Sequence, residues 1–516
     1  MRQFLQALAE HGLKQFLDGI TLDEVNAFAS RSIPGATPKL IVLTTPEKTD
    51  FALPTQDELL AMVDNASKTE VKAYEEKAVA SSLMAGKPAG GKIISEKEDK
   101  IAGFSDFTLS NGVRVIVKST DFKNDQVVMS GFRYGGQFLY GNEDRDNAEF
   151  AASIVAQMGV ANFTPVDLKK VMSGKTASVS PRIGTLTEGV NGSSSASDVE
   201  SMLQLTYLYF TQPRKDDELF KSYISKQQAM YQNLMSDPQT VFRDSLLKIT
   251  YKNHPRAPRV PSPEVFSRIN EDRVLQIYRE RFGDASGFTF VLVGKIDMGS
   301  IKPLIETYLG GLPSAGGVSR FKDAGLRPVT GIVKREVRKG SAPKSFISLQ
   351  FNGEQPYSEA EQLKLQAVLE VLDIKVIESL REDMGGIYGA GIYGSLNKIP
   401  YPNYSVSIVM PCGPENVEKL IKAALDEVEK IKANGPTESD LNKVKENWRK
   451  QNLEDLKDNS FWLRQIQQSV EYGSNPDNIL TYDKRVDALT VADLKAAANK
   501  YFTMKNYIQV VLNPEK

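Results

Sequence analysis

At 516 residues the chain is too long for one ordinary hydrophobic core, so two or three domains are expected. Lys and Arg total 64 against 65 Asp and Glu, and this balance excludes a global electrostatic field that would attract nucleic acid or a membrane surface. The one cysteine, Cys412, excludes an intrachain disulfide and a zinc site built from several thiolates.

The amino-terminal residues are typical of an amphipathic helix rather than a secretory signal peptide. Phe4, Leu5, Leu8 and Leu13 are interspersed with Glu, His and Lys, which gives a helix with one apolar face. No apolar stretch of the sequence approaches the roughly 20 residues that span a bilayer. The sequence therefore predicts neither an export signal nor a membrane span, and it leaves the compartment open.

Three segments of the chain share one plan: a short capped helix, a turn and a β-rich run. They begin at Ile20, Ile269 and Leu489, at spacings that suit the length of a domain. They are interpreted as the closing elements of three homologous domains. Because only nineteen residues precede the first copy, that copy is expected to close a domain whose body is missing.

These repeats, together with local composition, predict the domain boundaries. Residues 1–50 are interpreted as the closing element of a truncated preceding domain. Residues 51–103 are interpreted as a linker, because 66–100 are rich in charged residues and glycine. Two further domains are predicted over 104–325 and 326–516.

Both predicted bodies mix strands with long helices. The Asn111-Gly112 pair predicts a tight type I′ turn, with positive φ angles, in the hairpin that begins the first body. In the second body, Ser358 and Glu361 predict a capping box at the start of a long helix. Two strands, IYGAGIYG and NYSVSIVM, are predicted to pair after it. The pattern favours an α+β fold, in which each domain is a mostly antiparallel sheet covered by helices.

Several segments in a fixed order carry a resemblance to a known family. They are LSNGVRVIVK, the Tyr-Phe-Thr-Gln-Pro run at 209–213, HPRAP, YRERFGDASGFTFVLVG and LREDMGGIYGAGIYG. They resemble the carboxy-terminal half of bacterial pitrilysin/insulinase-type (M16) zinc peptidases. The resemblance covers nearly all of 104–516. It implies a two-half clamshell of four homologous domains, in which this chain supplies domains like the third and the fourth.

In that family, an H-x-x-E-H helix and a downstream Glu bind zinc in the first domain. The two histidines of this sequence, His11 and His254, do not have that spacing, and both are interpreted as residues with local hydrogen bonds. Where a zinc helix would fall in the repeat plan, Glu149 is the lone candidate ligand. Cys412 is interpreted as an inert structural cysteine. No cofactor is therefore expected in this chain, and zinc is expected in a missing or partner half.

The segment LREDMGGIY contains the candidate catalytic residues, with Arg381 at a predicted helix end and Tyr388 at the start of the next predicted strand. The resemblance implies that an Arg and a Tyr seven positions apart reach across the clamshell to the zinc site, and these two residues have that separation. A guanidinium and a phenol can both donate to a carbonyl oxygen that gains charge as water attacks. The structural alternative is that the Arg pairs with helix-end carbonyls and the Tyr fills a half-buried pocket.

Neighbouring residues leave further alternatives open. Tyr393 is expected to point to the side opposite Tyr388. The glycines within 385–394 mark either a strand edge that binds an extended peptide or a bulged edge, and the bulge is favoured. Glu382 and Asp383 could form an acid/base dyad, but a solvated helix end is the favoured interpretation.

The leading hypothesis is a half-enzyme that forms the substrate-holding wall of a clamshell peptidase and donates Arg381 and Tyr388 to the peptide. Such a chain is predicted to be inactive alone and to need a zinc-bearing M16 half, covalently attached or separate, with peptides as ligands. The alternative is a noncatalytic M16-like scaffold or peptide-binding subunit of a hetero-oligomer. A fragment of an exported bacterial enzyme would be periplasmic or attached to the cell envelope, and otherwise the chain would be cytoplasmic.

Overall fold

The computed structural model describes residues 19–32, 40–45, 52–70, 80, 82–384 and 389–515, without the side chains of residues 67 and 380–384. The chain divides into two compact units, residues 1–78 and 79–516. The second unit contains both predicted bodies.

The first unit contains two described helices, α1 (Leu22–Ser32) and α2 (Gln56–Lys68). Thr55 begins α2 with a capping box, in which its hydroxyl accepts a backbone hydrogen bond from the third helical residue. The β-rich run expected in the first repeat is not a strand over the described residues 40–45. A strand needs a neighbouring backbone to pair with. The side chains of this run are also largely exposed, Leu40 by 90%.

Twelve strands lie in the described part of the second unit. In chain order they are β1 (Ile93–Asp99), β2 (Phe104–Leu109), β3 (Arg114–Ser119), β4 (Val127–Tyr134), β5 (Ala177–Ile183), β6 (Thr187–Ser194), β7 (Thr289–Gly294), β8 (Gly331–Arg338), β9 (Ser345–Glu354), β10 (Gly391–Asn397), β11 (Asn403–Cys412) and β12 (Asn506–Asn513). The first seven form one sheet in the order β1-β2-β3-β7-β4-β6-β5, and the other five form a second sheet in the order β10-β11-β9-β12-β8.

The two sheets are built on the same plan. In the first, β7 lies between β3, to which it is parallel, and β4, to which it is antiparallel. In the second, β12 lies in the same way between the parallel β8 and the antiparallel β9. The outer pairs β6–β5 and β11–β10 also correspond. The prediction of two homologous α+β domains with mostly antiparallel sheets is therefore confirmed, and each closing strand lies inside its sheet.

The turn between β2 and β3 differs from the predicted type I′ turn. The N–H of Leu109 donates to the C=O of Val113 (2.8 Å), so the loop contains three residues rather than two. Gly112 has a φ of +80°, whereas Asn111 is not in the left-handed region, as in a turn that ends on a glycine bulge. The Asn111 side-chain amide instead donates to the C=O of Leu309 (2.8 Å), which fixes the hairpin to the body of its domain.

Strand β1 occupies the end of the range predicted to be a linker. It pairs antiparallel with β2, with an irregularity between Ile93 and Ser95, and most of its side chains are exposed. An edge strand of this kind is held by backbone hydrogen bonds, and its charges discourage pairing with other chains. The charge-rich composition that indicated a linker is thus also typical of a protected sheet edge.

Helices cover both sheets. In chain order they are α3 (Arg145–Met158), α4 (Pro165–Val171), α5 (Val199–Thr211), α6 (Asp217–Gln232), α7 (Pro238–Thr250), α8 (Pro263–Ser267), α9 (Glu271–Phe282), α10 (Met298–Leu304), α11 (Glu359–Met384), α12 (Val417–Asn434), α13 (Glu438–Asp455), α14 (Asn459–Tyr472), α15 (Tyr482–Asp487) and α16 (Val491–Tyr501). Among the helices that the structure describes, none is long and apolar enough to cross a membrane.

Each domain covers the second face of the other domain's sheet with one helix. Helix α14, from the second domain, packs on β4 and β7, where Trp462 and Ile466 are buried with Val291. Helix α7, from the first domain, packs on β12, where Phe242 is buried with Ile508. Because of this exchange, the two domains complete each other's hydrophobic cores.

A buried ion pair joins β4 to β6. Arg133 Nε donates to Glu188 Oε1 (2.7 Å), and Glu188 is fully buried. Its second carboxylate oxygen accepts from the N–H of Gly136 (2.8 Å). Three of the remaining guanidinium donors reach backbone carbonyls, so both charges are compensated by several hydrogen bonds, as buried charges require.

Asp284 holds the segment that connects the two domains. Its carboxylate accepts backbone hydrogen bonds from Ala315 (3.0 Å), Gly317 (3.0 Å) and Ser286 (2.8 Å). Burial acts to raise the pKa of Asp284, but the hydrogen bonds, led by that of the Ser286 hydroxyl, outweigh it and lower the pKa to about 2. The carboxylate is therefore ionised at neutral pH.

Candidate functional site

Helix α11 leads to the predicted Arg381–Tyr388 pair. It begins where the N–H of Glu361 donates to the Ser358 hydroxyl (3.1 Å). The predicted capping box is only half formed, because the Glu361 carboxylate instead accepts from the Tyr501 hydroxyl (2.9 Å) on α16. A tertiary contact has taken the place of the local one.

The helix continues to Met384, which puts the backbone of Arg381 in its last turn. The side chains of Arg381, Glu382 and Asp383, and the whole of Tyr388, lie outside the described residues. The role of the Arg–Tyr pair and its structural alternative therefore stay predictions. The same holds for the acid/base alternative and for the orientation of Tyr393 relative to Tyr388.

Strand β10 forms one outer edge of the second sheet. It pairs with β11 residue by residue from Gly391 to Asn397, so the bulge favoured for the glycine-rich segment is wrong over these described residues. Backbone groups alternate in direction along an antiparallel strand, and the groups of Ile392, Gly394 and Leu396 point away from β11. The strand therefore presents an edge of the kind to which an extended peptide can add.

Two glutamines of α11 occupy part of this edge. Gln366 Nε2 donates to the C=O of Gly394 (2.6 Å), and the N–H of Leu396 donates to Gln362 Oε1 (2.7 Å). For the outward backbone groups of Ile392, the described residues supply no hydrogen-bond partner. Within the described part of the chain, the end of this edge without a partner is thus the one that follows residues 385–388.

A cavity of about 410 Å³ adjoins the occupied part of the edge. It lies among α11, α13, α14 and the segment that follows α14. Eight of its described lining residues carry side-chain amides, including Gln362, Gln366, Gln465 and Gln468. Four more are aromatic: Tyr357, Trp448, Phe461 and Tyr482. No sequence motif predicted this cavity, because its residues come from elements far apart in the chain.

Helix α3 occupies the place in the repeated domain where a zinc-binding helix would fall. Glu149 Oε2 accepts from Arg259 Nη2 (3.1 Å), and the same guanidinium also pairs with Asp146. Burial acts to raise the pKa of Asp146, but hydrogen bonds and charge from Arg259 and Arg268 outweigh it and lower that pKa. A guanidinium thus supplies the positive charge beside these carboxylates, and the residues present do not fit a zinc ion.

The other candidate ligands are also engaged locally or buried. His254 Nδ1 accepts from the N–H of Arg256, two residues on (3.1 Å). Cys412, at the end of β11, is buried, and this burial raises the pKa of its thiol to about 11, which keeps the thiol protonated at neutral pH. His11 lies outside the described residues. Over the ranges that the structure describes, no three metal-ligating side chains come together.

The sequence of residues 268–447 matches the family model "Peptidase M16 inactive domain", which agrees with the repeated sheet plan. The match makes residues 268–447 an M16 peptidase domain. The chain is 24% identical over 410 residues to "Zinc protease PQQL-like" of Arabidopsis thaliana, covering 76% of this chain and 40% of that protein. It is 22% identical over 489 residues to "Probable zinc protease PqqL" of Haemophilus influenzae, covering 94% and 52%.

The chain therefore spans about half, or less, of the length of these curated relatives. Among solved structures, it is similar to the periplasmic protease PqqL from Escherichia coli, with a TM-score of 0.75 and 19% identity over 90% of this chain and 51% of that one. At this identity the likeness shows the fold alone. The relatives are named as zinc proteases, whereas the described residues of this chain do not assemble ligands for zinc.

Proposed function

We propose that this chain is the carboxy-terminal, non-zinc-binding half of an M16 metallopeptidase, in which it forms the substrate-holding wall of a clamshell and presents Arg381 and Tyr388 to the bound peptide. The observation that supports this most is the open edge at Ile392, immediately after the segment that carries the pair. An extended peptide that adds to this edge gains main-chain hydrogen bonds whatever its sequence.

Covalent geometry keeps both proposed donors near that edge. Tyr388 precedes Gly391, the first residue of β10, by three positions, which is at most about 11 Å of extended chain. Arg381 precedes the end of α11 by less than one turn. A peptide paired with Ile392 would therefore run past the segment from which both side chains extend.

The two residue types suit the chemistry of peptide hydrolysis. The guanidinium stays charged at any physiological pH, and the phenol is a neutral donor. Both can donate to the peptide carbonyl oxygen, which gains negative charge when water attacks the carbonyl carbon. One preorganised donor of this kind lowers the activation barrier by about 3–4 kcal/mol, provided that closure of the other half excludes water.

The proposal includes a partner and a place of action. The water-activating ligands that the family resemblance implies are supplied by a zinc-bearing M16 half, covalently attached or separate, so this chain alone is proposed to be inactive. Peptides are the proposed substrates. Likeness to PqqL of Escherichia coli, which is described as periplasmic, supports the cell envelope as the compartment.

The test is peptide hydrolysis by this chain mixed with a zinc-bearing M16 half from the same organism. We expect Arg381→Ala and Tyr388→Phe to lower kcat by about 100-fold or more while KM changes little, because both donors act in the transition state. The matched controls are Tyr393→Phe, on an exposed tyrosine of β10, and Arg464→Ala, on an exposed arginine of α14. If the complex forms and all four variants keep the same rate, the proposal fails and the noncatalytic scaffold replaces it.

A further inference from the structure

We propose that the cavity lined by amides is a second peptide site, which holds an extended, uncharged stretch of a substrate by its backbone groups. The choice of a peptide ligand rests on the proposed function, but the site is separate from Arg381 and Tyr388. It lies at the amino-terminal half of α11, beside Gln362 and Gln366, whereas Arg381 belongs to the last turn of that helix and Tyr388 follows it in the sequence.

Side-chain amides match the hydrogen-bonding pattern of a peptide backbone. Each amide offers both donors and an acceptor, and a peptide main chain alternates N–H with C=O. Two amides of the cavity already bind main-chain groups in this way, since Gln366 donates to Gly394 and Gln362 accepts from Leu396. The cavity wall therefore includes side chains that recognise the backbone of an extended strand.

Other amides in the wall are available for a ligand. The side-chain amides of Gln465 and Gln468 have no hydrogen-bond partner among the described residues, and at a spacing of three the two residues lie on the same face of α14. The adjacent face of this helix is fixed on the first domain's sheet by Trp462 and Ile466. The two free amides are thus held on a rigid element, so a ligand does not have to order a loop in order to bind them.

The charges of the cavity favour an uncharged or basic ligand over an acidic one. Arg485 is paired with Glu359 (3.1 Å), which leaves Asp455 without an opposite charge among the described lining residues. Asp455 accepts one hydrogen bond from Gln451 (2.9 Å). An acidic segment would meet like charge here.

The aromatic residues provide apolar contact for side chains of the ligand. The rings of Trp448 and Tyr482 lie 6.4 Å apart at their centres, and both line the cavity. Amides and aromatic rings also bind neutral sugars. The peptide is favoured because two glutamines of the cavity wall already bind the backbone of a strand.

The test is fluorescence anisotropy of this chain with a fluorescein-labelled decapeptide of alternating serine and valine. We expect the double variant Gln465→Ala/Gln468→Ala to bind the decapeptide about tenfold more weakly or worse, because it loses two ligand hydrogen bonds. A decapeptide of alternating glutamate and valine should bind more weakly than the uncharged one. The matched control is Gln239→Ala, which removes an exposed amide of the first domain and should leave binding unchanged.

Photo-crosslinking with a benzophenone-bearing version of the decapeptide locates the site independently of the variants. Crosslinks on α11, α13 and α14 support the proposal, whereas crosslinks elsewhere, absence of binding, or equal binding by the double variant overturn it. If cellohexaose binds the cavity and the decapeptide does not, the site is one for carbohydrate and the proposal is wrong. Failure of the proposed function has a different readout, namely hydrolysis by the mixed halves that does not depend on Arg381.

Discussion

Removal of one indole tests the exchange of helices between the two domains. Trp462 belongs to the second domain but is buried in the first domain's sheet face, where it is 4% exposed. Its Nε1 donates to the C=O of Leu456 (3.0 Å), and Lys118 Nζ lies 3.8 Å from the ring centre. Truncation of a buried tryptophan costs about 3–5 kcal/mol, and loss of a desolvated cation–π contact adds up to about 2 kcal/mol. We expect Trp462→Ala to lower the free energy of unfolding of the first domain by about 3–7 kcal/mol.

Urea unfolding followed by two probes measures this effect. Trp448 becomes the remaining tryptophan and reports on the second domain, while far-UV circular dichroism reports on both. Both transitions should move to lower urea, because each domain loses a neighbour that completes its core. The control is Leu453→Ala, on a side chain that is 61% exposed, with an expected change within about 0.5 kcal/mol. If Trp462→Ala behaves like this control, or if only the Trp448 transition moves, the exchange does not couple the domains.

Three further predictions concern charge and metal. Glu188→Gln leaves the Arg133 guanidinium buried without its counter-charge and should lower stability by about 3–5 kcal/mol in chemical denaturation; an effect as small as that of Glu98→Gln, on an exposed carboxylate of β1, would contradict this. The pKa of Asp284 is about 2 in the fold against an ordinary 3.8, so its contribution is complete above about pH 4 and is lost as the pH falls towards about 2. Asp284→Asn should therefore flatten the dependence of the thermal midpoint on pH in that window, and an unchanged slope would refute the assignment. The purified chain, dialysed against zinc and then buffer, should hold substoichiometric zinc by elemental analysis and keep its thermal midpoint in EDTA; one tightly bound zinc per chain would show that the ligand argument is wrong.

Features that depend on local pattern were predictable from the sequence. Strands such as FTFVLVG and NYIQVVLN carry continuous apolar runs, and they form the interior strands β7 and β12. The Asn111-Gly112 pair marked a hairpin correctly, but the turn type was wrong because the Asn111 side chain bonds to a distant carbonyl. In the same way, the Glu361 carboxylate accepts a hydrogen bond from the Tyr501 hydroxyl instead of completing the predicted capping box.

Features that depend on distant parts of the chain were not predictable in this way. The apolar residues of α14 indicate one buried face, but nothing in their spacing shows that Trp462 packs on the sheet of the other domain. The amide cavity gathers glutamines from helices that begin about a hundred residues apart. Arg259 beside Glu149 is likewise a pairing over more than a hundred positions. For Arg381 and Tyr388, the expectation came from family resemblance, and it remains a proposal.

The most direct measurement of the proposed half-enzyme compares initial rates of peptide hydrolysis for this chain alone, the zinc-bearing half alone, and an equimolar mixture. The two isolated halves should be close to the uncatalysed rate, and the mixture should hydrolyse the peptide in a chelator-sensitive reaction. Hydrolysis by this chain alone that EDTA abolishes, or a mixture no faster than the zinc-bearing half, would contradict the account.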